Sequence, residues 1–390
     1  MTDSTAATPR RSHLHDQHIA LGAEMTVVGG WEVPLNYGSE KEEHRAVRED
    51  VGIFDLSPMG EIRVTGPEAA QFLAHSLISA MKPIALGKAK YTMMVQEDGG
   101  IIDDLIAYRL GPEDYLLVPN AGNSREVLET LRERVGGYEV EIADQSTSTA
   151  LIAVQGPRAH ALLQRLVPED SHATLHELRY FSCTSMEIAG VETLIGRTGY
   201  TGEDGFEIFV PAAEAARVWD ALLAAGAERD DEEELPDGDD GRELRVRPCG
   251  LVARNTLRIE AGMPLYGREL TRERNPLEAG FASLISPSKG QFIGRKALVN
   301  QPEPKQRLAG VKLSGRTAPG RGSELRDKDG NVVGVITSTT VSPTLGYPIA
   351  MAYLDRWLAV PGTELAVDVD GEEKKAEVTP IPFYNRRKRK

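Results

Sequence analysis

Cysteine, aromatic residues, basic surplus and long apolar runs are all scarce in this 390-residue chain, and each scarcity removes a class of protein. Two cysteines, Cys183 and Cys249, are too few for a disulfide framework or a zinc cluster. They suit a reducing compartment, each as a small apolar residue. No apolar stretch reaches the roughly 18 residues that span a bilayer. A net charge of -14 lacks the basic footprint of a nucleic-acid binder. It leaves anionic small ligands open, because a few local Arg or Lys residues can hold them. The opening MTDSTAATPRRSHLHDQ has no apolar core and carries acids, so it reads neither as a secretory signal nor as a transit peptide. The expected location is cytoplasmic. There is no P-loop, no G-x-G-x-x-G between strand and helix, no G-x-S-x-G and no HExxH. Those absences remove phosphate-loop enzymes, nicotinamide Rossmann enzymes, serine hydrolases and zinc proteases. His13, His15 and His18 lie close together but read as a polar terminal segment, and no metal is expected.

What is present is an α+β pattern long enough for two or three domains. Residues 1–12 read as disordered, His13 to Gly22 as a short helix, and Met25–Tyr37 as a broken strand. Ser39 to Glu49 reads as a charged helix with a Ser cap and acids in its first turn. Gly52 to Val64 reads as a strand interrupted at Ser57-Pro58-Met59-Gly60, where proline implies a bulge or an edge. An internal repeat follows. Val64-Thr-Gly-Pro and Val154-Gln-Gly-Pro each open a helical pattern. Tyr115-Leu-Leu-Val-Pro and Glu207-Ile-Phe-Val-Pro each lead into another. A duplicated α+β unit, over about 50–140 and 147–285, accounts for that order.

The chain is organised around Glu97–Leu110, EDGGIIDDLIAYRL. Asp98-Gly99-Gly100 predicts a tight hairpin turn and Ile101–Leu110 a strand. Side chains alternate along a strand, so Asp104 shares a face with Ile106 and Tyr108, and Asp103 shares one with Leu105 and Ala107. A carboxylate beside apolar strand residues needs a partner, and a ligand could be that partner. For an isolated pair, the plainer reading is a turn-capping Asp and a surface Asp. In the second unit, Arg197–Glu207 is glycine-rich and ends in a strand, so Glu207 is expected at the place Asp104 holds in the first unit.

Residues 228–247 are acidic and low in apolar content, and read as a solvated surface loop. Leu251–Ala261 predicts a helix ended by Gly262, with Arg254 and Arg258 one turn apart. From about Ile285 the texture changes. Short alternating strands separated by turns at Gly315, Asp329-Gly330, Gly346, Pro361-Gly362 and Asp370-Gly371 predict a small β-barrel, giving domains at 1–285 and 286–390. The basic tail Arg386–Lys390 is expected to fray.

Five segments together resemble the aminomethyltransferase, or T-protein, family of the glycine cleavage system: Gly52–Glu61, Glu97–Leu105, Arg197–Glu207, Gly250–Gly262 and Ser342–Gly346. The resemblance implies a tetrahydrofolate-binding body of two related α+β subdomains plus a C-terminal barrel. It implies transfer of an aminomethyl group from the lipoyl arm of the H-protein to tetrahydrofolate. The products are 5,10-methylenetetrahydrofolate, ammonia and dihydrolipoyl H-protein. Asp104 matches the family's catalytic aspartate, expected to hydrogen-bond folate N10 and to favour the cation that develops as ammonia leaves. Glu207 matches the pterin-binding acid and Arg254 a folate-contacting arginine. Met59, Tyr91, Val118, Asn120, Tyr200 and Tyr266 match pocket positions. Two departures stand out. Pro58 replaces a common histidine, and Asn255 replaces an aspartate that could pair with Arg254.

The resemblance also implies the lipoyl H-protein as partner, an acidic carrier that would suit the cluster Lys289, Arg295, Lys296, Lys305 and Arg307; Arg295 and Lys296 are the candidate docking residues. The competing readings are a folate-dependent demethylase and a non-enzymatic folate-binding assembly factor. The latter carries Lys-Gly-Cys where this chain has Lys289-Gly290-Gln291.

Overall fold

The computed structural model describes residues 8–227, 243–299 and 301–386. The expected disorder of residues 1–7, most of the acidic stretch 228–247 and the end of the basic tail lie outside the described residues.

Two antiparallel-rich sheets face each other, with helices on both outer sides. The five-stranded sheet runs Lys88–Val95, Ile101–Gly111, Asp114–Pro119, Ile62–Thr65, Glu141–Asp144. The six-stranded sheet runs Cys183–Ile188, Val191–Gly196, Gly205–Pro211, Thr149–Gln155, Val51–Asp55, Val246–Pro248. The strand before each Gly-Pro therefore sits fourth in its sheet, beside the strand that ends in Val-Pro. Alternation sorts the side chains. In the first sheet, Leu105, Ala107 and Leu117 pack outward on Phe72, Leu73, Val127 and Leu131 of the helices Ala69–Ser76 and Ser124–Arg134. Tyr108, Leu116 and Val118 pack inward on Phe54, Leu151 and Phe209 of the second sheet. The outer face of the second sheet buries Trp219 and Leu222 of the helix Ala215–Ala227.

Three expectations change. Gly52 to Val64 is not one strand: Val51–Asp55 belongs to the six-stranded sheet and Ile62–Thr65 to the five-stranded one. Ser57–Gly60 is the crossover between them, which is why proline is tolerated there. Residues 8–12 are not disordered, because Arg10–Arg11 pairs with Trp31 and Glu32. His18 is not part of a polar tail. It is fully buried, with Nε2 2.9 Å from Asp55 Oδ2 and Nδ1 2.9 Å from Tyr37 OH, at the end of the helix His15–Ala20. Burial works to raise Asp55, yet the His18, Ser12 and Ser57 contacts hold its carboxyl below the ordinary value. That buried pair fastens the N-terminal segment to the body.

The C-terminal region is a closed barrel ordered Gln306–Leu313, Pro348–Asp355, Val332–Val341, Glu324–Arg326, Glu364–Val369, Glu372–Thr379. Its interior is filled by side chains such as Val311, Leu325, Ile336, Leu354, Leu365 and Val378. The barrel meets the body at Glu260, the last residue of the helix Leu251–Glu260. Glu260 accepts from Arg48 Nη2 at 2.7 Å, Ser342 Oγ at 2.5 Å and Thr344 Oγ1 at 2.8 Å, with His44 Nε2 at 3.3 Å. No helix of the described residues is long and apolar enough to cross a membrane.

Burial alone would raise Glu260, but His44, Arg48 and Ser342 hold its carboxyl at about 2, against an ordinary 4.5. A depressed folded pKa stabilises the fold above about pH 5, and that contribution is lost as pH falls towards about 2. The shift corresponds to roughly 3 kcal/mol. Glu260→Gln is expected to lose about that much at pH 7 and little near pH 2, as read by denaturant titrations across pH. A pH-independent loss would show that geometry, not charge, makes the joint.

Candidate active site

The strand Ile101–Gly111 is clamped at its start. Ile101 N–H donates to Thr271 O at 3.1 Å and to Arg274 O at 3.0 Å, and Tyr266 OH donates to Ile101 O at 3.2 Å. The turn before it needs its glycines. Gly99 has φ 89°, and a Cβ at Gly100 would lie 2.0 Å from Arg272 O. A register shift opposite Met94 and Val95 then introduces the acid pair, and such a bulge re-aims side chains.

The alternation holds for Leu105 through Tyr108, yet both carboxylates meet one residue. Asn120 Nδ2 lies 2.9 Å from Asp103 Oδ1 and 2.9 Å from Asp104 Oδ1. Asn120 follows Pro119, the end of the neighbouring strand, so its side chain is free to straddle the sheet edge. Tyr91 OH donates to Asp104 Oδ2 at 2.9 Å. Burial raises the proton affinity of both acids, and for Asp103 the Asp104 charge adds to it. Against burial, Tyr91, Asn120 and the Arg254 charge favour ionised Asp104.

The second acid, Glu207, lies in Gly205–Pro211 and accepts at Oε2 from Thr198 Oγ1 at 2.5 Å and from Tyr108 OH at 3.3 Å. Burial raises it too, with Thr198, Tyr108 and Arg254 opposing. Its Oε1 has no hydrogen-bond partner among the described residues. Asp104 and Glu207 are not equivalent by topology. Arg197–Asp204 joins the second and third strands of its sheet, whereas the Gly99 turn joins the first and second. The two halves thus deliver their acids from different strands.

Arg254 is the group between them. It stacks on the Tyr200 ring at 4.7 Å, and no side-chain hydrogen bond or ion pair to it occurs among the described residues. Burial lowers its pKa, and the charges of Glu207 and Asp104 are among the groups that oppose this. The face of this helix that carries Arg254 is therefore a site wall. Asn255 does not stand in for a carboxylate on Arg254; its Oδ1 accepts from Arg258 Nη2 at 2.9 Å and Nε at 3.0 Å. Arg258 is buried and paired with Glu269 at 2.9 Å.

Met59, Asn120, Tyr200, Arg254 and Tyr266 line one cavity of about 600 Å³, together with Pro58, Asp55 and Asn123. Asp104, Tyr91 and Glu207 are not among the residues that line it; Asp104 bonds to the lining residue Asn120, and the charges of Asp104 and Glu207 act on Arg254. Val118 packs in the inter-sheet core rather than on the cavity wall. The sequence reading missed Asn123, Thr198 and Tyr108 as supports. The only signal was Asn120-Ala-Gly-Asn123, two amides at a strand end. Of the basic cluster, Lys289 turns inward, its ammonium on the carbonyls of Ala74 at 2.6 Å and Ser79 at 3.2 Å. It caps the helix Ala69–Ser76, and burial brings it down to about 7. Lys296 is exposed and Arg295 half-buried, on the helix Arg295–Leu298 that packs against the Gly99 turn.

Tyr91→Phe removes a bond that favours ionised Asp104. The Asp104 carboxyl is expected to titrate about one unit higher, as read by carboxyl-carbon NMR. An unmoved midpoint would show that the bond carries no weight.

Comparison with known proteins gives the same architecture. The model of the GCVT N-terminal domain matches residues 14–232 and 238–289, and that of the glycine cleavage T-protein C-terminal barrel domain matches residues 306–385. A curated aminomethyltransferase of Streptomyces avermitilis is 46% identical over 97% of this chain and 99% of its own length. One from Geobacillus kaustophilus is 43% identical over 97% and 100%. The crystal structure of the glycine cleavage system aminomethyltransferase T from Bartonella henselae superposes with a TM-score of 0.85 at 33% identity, covering 97% of this chain and 99% of that one. Fold, barrel and full-length similarity agree: the chain belongs to the glycine cleavage T-protein family of aminomethyltransferases.

Proposed function

We propose that the cavity between Asp104, Arg254 and Glu207 is where tetrahydrofolate receives an aminomethyl group from the lipoyl arm of the H-protein, in the aminomethyltransferase reaction of the glycine cleavage system. The observation that carries this is Arg254, a guanidinium on the cavity wall that has no ion-pair or hydrogen-bond partner among the described residues and is acted on by the charges of Asp104 and Glu207. A ligand with a flat donor-rich head and an acceptor-bearing body suits that set.

The residues fit tetrahydrofolate. Glu207 Oε1 has no hydrogen-bond partner among the described residues and would accept from N–H donors of a pterin, while Thr198 and Tyr108 hold Oε2. Tyr200 and Tyr266 offer rings for flat packing. When bound, the folate supplies the nucleophilic nitrogen. Asp104 is the acceptor that orients it, and its negative charge favours the positive charge that develops as ammonia departs. Tyr91 and Asn120 each occupy one oxygen of Asp104, so the carboxylate is preorganised before substrate arrives. Burial raises the proton affinity of Asp104, and Tyr91, Asn120 and then the Arg254 charge oppose it.

Single-turnover formation of 5,10-methylenetetrahydrofolate from aminomethylated H-protein tests the reading. Wild type is expected to form product. Asp104→Asn should lose roughly 10²-fold or more in rate while still binding folate. Glu207→Gln should weaken folate binding by about tenfold or more, because one acceptor becomes a donor. Folate-competent wild type that forms no product would remove the assignment.

For the partner, we propose that the acidic H-protein docks beside Lys296, where the helix Arg295–Leu298 touches the turn that starts the Asp104 strand. Lys296→Glu, alone and with Arg295→Glu, is expected to raise the KM for H-protein several-fold and leave folate affinity unchanged. An unaltered KM for the carrier would place docking elsewhere.

A further inference from the structure

Asp103 has no role in the reading above, yet it is the better buried of the two acids, with no exposed surface. Three N–H donors converge on it. Asn120 N–H reaches Oδ2 at 2.9 Å, and Asn120 Nδ2 and Asn123 Nδ2 reach Oδ1 at 2.9 and 2.7 Å. The same Asn120 Nδ2 lies 2.9 Å from Asp104 Oδ1 and 2.9 Å from Asp104 O. A primary amide has two hydrogens and one acceptor oxygen. With carboxylate oxygens on both sides, only the NH₂ end can face inward; the reverse orientation would set oxygen against oxygen. The Asn120 carbonyl end is thereby turned away from the acids, on a residue that lines the cavity.

Resting on the assignment of Asp104 above, we propose that Asp103 is a positioning residue for the transfer step: held by Asn123, it locks the Asn120 amide, and the locked amide fixes Asp104 and presents the Asn120 carbonyl oxygen to the substrate. The link runs Asn123, Asp103, Asn120, Asp104. Each step is made by one or two hydrogen bonds that converge on the fully buried Asp103 or on the Asn120 amide, so protein contacts set the orientation. Burial and the Asp104 charge both raise the proton affinity of Asp103, so Asp104 is the acid of the pair that ionises first. The other charged or titratable groups facing Asp104 are Tyr91 from Lys88–Val95, Arg254 from Leu251–Glu260, Tyr200 from the loop before Gly205–Pro211, and Tyr266 from the loop that clamps Ile101.

The test compares wild type, Asp103→Asn and Asn123→Ala. It measures single-turnover rates between about pH 5 and 9, tetrahydrofolate dissociation constants and melting temperatures. Asp103→Asn keeps the shape but gives the amide a competing donor. The plateau rate is expected to fall roughly 10–100-fold with the folate dissociation constant within about threefold. The acid limb should stay in place, because Asp103 holds its proton more tightly than Asp104 and carries no charge while Asp104 ionises. Asn123→Ala loosens the support of Asp103, so its rate should fall several-fold at unchanged folate affinity. A folded Asp103→Asn with wild-type rate overturns the proposal, as does a rate loss matched by an equal loss of folate affinity. If Asp103→Asn does not fold, Asn123→Ala decides: a several-fold loss at unchanged folate affinity supports the link, and a wild-type rate overturns it. Failure of wild type to form product is a different result and rejects the assignment of Asp104 itself.

Discussion

A positive charge with no ion-pair partner among the described residues is the constraint on which the centre of this molecule depends. Arg254 stands in the space left where the helix Leu251–Glu260 closes the inter-sheet core. Desolvation of a guanidinium is costly, and here the compensation comes at a distance from Asp104 and Glu207, one from each sheet. Remove either sheet and the cation loses one of the two carboxylates that act on it. Fill the cavity with side chains and the cation gains a partner but the ligand loses its place. The two-sheet architecture therefore serves to bring two acids to one cation without letting them touch it.

Much of the fold was legible because its signals are local. Ser39 does cap its helix, accepting from Glu42 N–H at 3.4 Å. The Asp98-Gly99-Gly100 turn and the barrel's alternating strands follow from residues a few positions apart. The segment Gly52–Val64 misled for the same reason. A continuous apolar pattern records that each part is buried, not that the parts are buried in different sheets. The three-residue strand Glu324–Arg326 was invisible because its partners, Val335 and Val367, set it from outside.

The site was legible in its members and not in its arrangement. Asp104, Glu207 and Arg254 were found through family motifs, but the likeness drawn between the Gly99 and Arg197–Glu207 segments placed the two acids on equivalent strands. Only the pairing of strands shows that they are not. His18 reads as a tail histidine until Asp55, 37 residues later, closes on it. Asn120 reads as a loop amide until two carboxylates from a neighbouring strand converge on it. Polar convergence of this kind is a property of register, and register is long-range information.

The close approach of Gly100 to Arg272 has a mechanical meaning. With no side chain between the two backbones, the loop that carries Tyr266 and Arg268 and the strand that carries Asp104 have no compressible material between them. The cavity wall and the root of the acid's strand are therefore anchored at one backbone contact, and any side chain at position 100 would have to part them.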